Sequence, residues 1–123
     1  MRLPTLFLTT LTALSTPAAA DWLETTWTCF RGNCFYSPNL DYSHFHTDFG
    51  RYWVNADEGC RGTGVPGMTE FCVDWGNTRG HFKFDHQDFR RCFKKNDKGE
   101  YFLCGSPDRQ CWRDTWPEVR CTW

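Results

Sequence analysis

Eight cysteines, Cys29, Cys34, Cys60, Cys72, Cys92, Cys104, Cys111 and Cys121, all follow a stretch that reads as a secretory leader, and this arrangement constrains the fold most. Arg2 is a short basic start. Leu3 to Leu14 is an apolar run, and Ala18, Ala19 and Ala20 supply the small residues of a cleavage site before Asp21. The run is interrupted by Pro4 and several threonines, and it falls short of the roughly 18 to 20 residues that span a bilayer. Residues 1–20 are therefore expected to be a signal peptide and 21–123 a single domain, extracellular and without a membrane span. In an oxidising compartment an even cysteine number predicts four disulfides, with on the order of a hundred possible pairings that sequence leaves open. Zinc is the weaker reading, because no Cys-x2-Cys knuckle occurs.

A mature chain of about 100 residues sits where a hydrophobic core alone is marginal. Bridges worth roughly 2 to 4 kcal/mol each would then supply much of the stability. Aliphatic residues are scarce: Leu23, Leu40, Leu103, Val54, Val65, Val73, Val119 and Met68 are the whole mature set, and isoleucine is absent. The chain holds seven Trp, 11 Phe and four Tyr, residue types that suit the pleated surface of a sheet better than a helix. The expected fold is mainly β, a small disulfide-rich β or α+β domain.

Gly59 to Gly67 (GCRGTGVPG) reads as an ordered loop pinned by Cys60. Glu70 to Trp75 and His81 to Asp85 read as strands, the first with Phe71, Val73 and Trp75 on one face, the second with Phe82 and Phe84. Arg90 to Cys104 reads as a β-hairpin turning at Asn96, Asp97, Lys98 and Gly99. Beyond Cys104, Gly105, Ser106, Pro107 and Pro117 break the pattern, so a surface-wrapping tail is expected there.

In DYSHFHTD, a strand would put Tyr42, His44, His46 and Asp48 on one side and Phe45 and Phe49 on the other. Two imidazoles and a carboxylate on one face can serve acid–base chemistry or, less often, hold a metal, although a plain solvated face is commoner than either. His81 and His86 would add donors if their strand were a neighbour. His44, His46, His81 and His86 are thus the catalytic candidates, and no metal or cofactor is expected. Nucleophile signatures are missing: there is no Gly-x-Ser-x-Gly.

Net charge is −1, so no global nucleic-acid signature exists, yet His81 to Lys98 is locally basic. Lys83, Arg90, Arg91, Lys94 and Lys95 interleave with aromatic rings as in surfaces that stack bases and neutralise phosphates. Core packing explains the rings equally well. Trp112 and Trp116 belong to the indoles near the chain ends that could meet a sugar.

The leader, the eight cysteines and the small mature size give the chain the layout of small secreted cysteine-rich proteins of filamentous fungi, the candidate effector class, which it resembles. Trp27-Thr28-Cys29 matches the aromatic-x-Cys motif near the mature N-terminus of many mildew and rust members. The segment WTCFRGNCFYS is similar to the cysteine-bearing start of guanyl-specific fungal ribonucleases, which some of that class resemble. That family's His, Glu, Arg, His series finds no match at plausible spacing. The resemblance implies a role outside the producing cell, in virulence or in antagonism of microbes. The leading expectation is a monomeric, non-enzymatic binder of a host or microbial protein or cell-wall glycan. The alternatives are a small ribonuclease-like hydrolase acting on RNA and a carbohydrate-binding module.

Overall fold

Two long strands, β1 (Trp22–Phe30) and β10 (Arg109–Val119), run antiparallel from Trp22 opposite Pro117 to Phe30 opposite Arg109 and form the spine of the molecule. The structure, a computed structural model, describes residues 20–37, 43–105 and 107–123. The leader before Ala20, and with it most of the expected cleavage signal, lies outside the described residues, as do Asp41 and Tyr42. The other strands are β2 (Asn33–Ser37), β3 (His44–Thr47), β4 (Gly50–Trp53), β5 (Gly59–Cys60), β6 (Met68–Asp74), β7 (Arg79–Phe84), β8 (Arg91–Lys94) and β9 (Glu100–Phe102). They pair antiparallel in the order β4-β3-β1-β10-β8-β7-β6-β5. Beyond the stretches that hold β3 and β8, β2 pairs with β1 and β9 with β10. Among the described residues there is no helix, in keeping with the mainly β fold expected from the aromatic-rich composition.

The sheet curls because its aromatic residues converge from distant strands. Phe45 on β3 meets Phe82 on β7 with ring centroids 4.9 Å apart and Phe71 on β6 at 5.9 Å, both edge to face. Phe93 on β8 joins both Phe71 and Phe82. Each fully buried ring contributes about 2 to 3 kcal/mol, and well-angled ring pairs about 0.5 to 1.5 kcal/mol more. These rings replace the missing aliphatic residues. Trp116 is buried edge-on to Trp75, and its Nε1 donates to Thr25 Oγ1 at 2.9 Å. The rim is held by Arg91, which stacks over Phe82, makes two hydrogen bonds to Glu118 (2.7 and 2.8 Å) and lies 3.4 Å from Asp21.

All eight cysteines are paired. Cys29–Cys34 joins directly opposed residues of β1 and β2, Cys60–Cys72 does the same for β5 and β6, and Cys104–Cys111 closes the β9–β10 connection. Cys92–Cys121 alone of the four joins positions as far as 29 residues apart, tying β8 to the segment after β10. The loop at Gly59 to Gly67 is pinned through Cys60, as expected, and buries Val65 in the core.

Two sequence expectations are corrected. Arg90 to Cys104 is not a hairpin: β8 pairs with Glu118–Val119 and β9 with Cys111–Arg113, so both arms dock on β10 and not on each other. The tail beyond Cys104 is not a surface wrap, because it contains β10, the central strand. Pro117 does not break it, since it sits opposite Trp22, where pairing with β1 ends, just before pairing with β8 begins at Glu118.

Candidate functional site

Strand β1 alternates between two faces, with Leu23 in the core and Glu24, Thr26 and Thr28 on the other side. An outward polar face is ordinarily wet, but these three residues are only 4–7% exposed. They form the floor of a cleft of about 330 Å³ whose walls include His44, Arg51, Arg109 and Arg113. Strand β3 supplies the histidines. His44 stands opposite Glu24 and His46 opposite Trp22, both on the face away from Phe45, as the alternation of DYSHFHTD predicts. The alternation ends at Thr47: Asp48 and Phe49 form the β3–β4 turn, and Phe49 stands 92% exposed at its tip.

Glu24 is the hub. His46 Nε2 donates to its Oε1 at 2.8 Å, and Arg113 Nε donates to its Oε2 at 3.1 Å. Both oxygens of a largely buried carboxylate are thereby held by charge-assisted bonds. Trp22 stacks flat on His46 with centroids 3.7 Å apart and planes 3° from parallel, which fixes the ring angle. Arg113 continues to Glu100 through Nη1 at 3.0 Å and packs over Phe102.

His44 differs. Arg51 Nη2 lies 3.3 Å from its Nδ1, and because a guanidinium only donates, Nδ1 accepts and the ring hydrogen sits on Nε2. Burial, reinforced by Arg51, pushes the His44 pKa below its ordinary value and keeps the ring neutral near pH 7. Its Nε2 is buried with no partner among the described residues, an unused donor in the wall of the cleft. Trp53 meets this ring edge-on at 5.1 Å. The cleft thus combines the Glu24 carboxylate, to which His46 is bonded, the neutral His44 imidazole and three guanidinium groups, a set able to neutralise a phosphate and move a proton.

The other sequence candidates lie elsewhere. β7 is separated from β3 by β1, β10 and β8, so His81 and His86 do not reach the cleft, and the expected grouping with His44 and His46 is not formed. His81 is 3.8 Å from Glu70, and burial, with Arg90 adding to it, lowers its pKa; His86 is 3.5 Å from Asp85. Glu70, His81 and the Cys72 sulfur converge, but Cys72 is bonded to Cys60 and supplies no thiolate, so they make no metal site. The basic run is dispersed because it is not a hairpin. Lys83 lies on β7, Arg90 is exposed, Arg91 is spent on Glu118 and Asp21, Lys94 lies 3.5 Å from the Asn77 carbonyl, and Lys95 faces Asp114 at 3.9 Å. Trp116 is wholly buried and meets no ligand, whereas Trp112 is partly exposed.

Glu24, Arg51 and Arg113 were missed in the sequence. The alternation of Leu23 and Thr25 against Glu24, Thr26 and Thr28 was the available signal for the first.

Fold and site together define a class: a disulfide-stapled, all-β domain with a histidine- and arginine-lined cleft on the polar face of its sheet. No family model, no curated protein and no solved structure matches the chain. Among the described residues no helix is long and apolar enough to cross a membrane.

Proposed function

We propose that the protein is an exported, effector-like RNA-binding protein that cleaves RNA slowly on the polar face of its sheet. The observation that carries this reading is Glu24, buried and held between His46 and Arg113 in a cleft where His44 offers a free N–H donor. RNA brings its own nucleophile. Glu24 takes the 2′-hydroxyl proton while O2′ bonds to phosphorus and the P–O5′ bond breaks. Arg51, Arg109 and the His44 N–H neutralise the phosphoryl oxygens, and Trp22 and Trp53 offer rings for the flanking bases. The leaving O5′ takes its proton from water, and turnover is accordingly slow. The four disulfides support action outside the cell, on RNA of a host or competitor.

The test is incubation of the oxidised chain from Asp21 with total RNA and with a matched DNA, beside Glu24→Gln and Arg51→Ala. RNA cleavage lost in Glu24→Gln, and RNA retention weakened in Arg51→Ala with a salt slope about 0.7 shallower, is the expected result. Intact RNA together with no RNA retention at low salt would dispose of the proposal.

A second reading rests on a separate observation. Phe49 and Phe89, 92% and 58% exposed, frame a cavity of about 390 Å³ floored by Tyr52 and Phe84. Exposed aromatic side chains around a hollow favour a non-enzymatic protein binder. Under that reading, loss of effect on plant tissue or microbial growth would follow Phe49→Ala with Phe89→Ala and not Glu24→Gln.

A further inference from the structure

Trp27 and Trp112 are direct cross-strand partners on β1 and β10, on the face of that pair opposite Glu24. Asp114, two residues along β10, shares their side. These three, with Lys95 and Gly99, line an open hollow of about 310 Å³. Trp27 is 37% exposed, and Tyr101, half exposed, meets Trp112 edge-on with centroids 5.5 Å apart and braces it from the side.

Asp114 is the anomaly in this wall. It is 5% exposed, and its Oδ2 is buried without a hydrogen-bond partner among the described residues. Burial raises its pKa, and Lys95 Nζ, 3.9 Å from Oδ2, together with a hydrogen bond from the Trp27 side chain to this carboxylate, opposes that rise. With Trp27 already bonded to this carboxylate, Oδ2 is the oxygen left with unused acceptor capacity, which is costly in a buried position. Gly99 keeps the approach open: a Cβ there would fall 3.0 Å from Asp114 Oδ1.

We propose that this hollow is a carbohydrate-binding site for a neutral sugar ring of an extracellular glycan. One face of the ring lies on Trp27 and Trp112, and a hydroxyl donates to Asp114 Oδ2. Lys95 already supplies the positive charge, so the absent group is an uncharged O–H donor and not a cation. A phosphate or carboxylate would meet Asp114 with like charge. Flat indoles beside a hydroxyl acceptor match the alternating apolar and polar surfaces of a pyranose. The site is on the far side of the sheet from the acid–base cleft, so it stands or falls independently of RNA chemistry. Holding a cell-wall glycan there would concentrate the protein where its other face acts.

The experiment is titration of the ¹⁵N-labelled oxidised chain with laminaritetraose and with chitotetraose, following the indole N–H signals. With at least one of them, the Trp27 and Trp112 signals shift saturably while those of Trp22 and Trp53 stay. Trp112→Ala and Asp114→Asn each weaken binding about tenfold, the loss expected for one stacking surface or one hydrogen bond to a charged group. Lys95→Ala, at the cavity edge, weakens it severalfold if the core variants fail to fold. The proposal is overturned if neither sugar shifts these signals at roughly 10 mM. It is also overturned if the variants bind as tightly as the parent, or if tetramethylammonium or adenosine monophosphate produces the shifts and the sugars do not.

Discussion

Glu24 and His46 are bonded at 2.8 Å, although the strand register sets Glu24 opposite His44 and His46 opposite Trp22. The contact is therefore diagonal, and it leaves His44 free to turn its own ring toward Arg51. Two histidines two residues apart thus have different partners, Glu24 for His46 and Arg51 for His44. Glu24→Gln keeps the side-chain shape and one acceptor but removes the charge. RNA cleavage is expected to fall at least roughly 100-fold, the usual weight of a general base, while the near-ultraviolet circular dichroism stays unchanged. A cleavage rate equal to the parent's would remove Glu24 from the chemistry.

How much of this was visible beforehand depended on whether a strand had one clean face. The strands of Phe71, Val73, Phe82 and Phe84 were legible, since their apolar residues alternate and all lie in the core. His44 and His46 were legible as a pair for the same reason. The spine was not. In β10 both faces carry polar residues, Arg113 and Thr115 on one, Asp114 on the other beside Trp112 and Trp116, and Pro117 suggests an interruption. In β1 the threonines blur the alternation, and Glu24 signals a surface position where the fold buries it. The apparent hairpin at Arg90 to Cys104 failed because local turn chemistry competes with pairing partners on β10, farther along the chain, which no local signal reports.

The bridges differ in what they restrain. Loop-closure entropy gives roughly 2 kcal/mol for Cys29–Cys34 and roughly 3.5 kcal/mol for Cys92–Cys121, whose separations are 5 and 29 residues. Replacing both members by alanine should lower the unfolding free energy in urea more for the second pair. That pair also ties β8 to the segment after β10. Equal losses, or a greater loss for Cys29–Cys34, would show that native-state strain outweighs the chain-entropy difference.

Gly80 is fixed by close approach. A Cβ there would fall 2.3 Å from the Cys72 carbonyl oxygen and 2.5 Å from two atoms of the Phe93 ring. The carbonyl cannot yield without opening the β6–β7 ladder, where Gly80 stands opposite Val73, and the ring is packed against Phe71, Phe82 and Trp116. Gly80→Ala is expected to cost about 1 to 3 kcal/mol in chemical denaturation, the range for overpacking a core. An alanine variant as stable as the parent would mean that Phe93 has room to move.

Stability should fall as pH drops below neutrality, and the sign follows from His44 and His81. Burial holds both below the ordinary value of 6.5 in the folded protein, helped by Arg51 for the first and Arg90 for the second. The unfolded chain therefore takes up protons first. Stability present above pH 6.5 is lost as pH falls from that value through the folded pKa values. Asp21 and Asp114, raised above 3.8 by burial, act in the opposite direction: the folded state takes up their protons first, and stability is regained as pH falls through their folded values toward 3.8. The melting temperature measured in steps below neutrality should thus decline and then level or recover on further acidification. His44→Gln removes part of the decline and leaves the recovery, whereas Asp114→Asn removes part of the recovery and leaves the decline. Parallel curves for His44→Gln and the parent would mean that His44 binds its proton equally in the folded and unfolded chain, and the neutral, donor-bearing ring assigned to the cleft would be wrong.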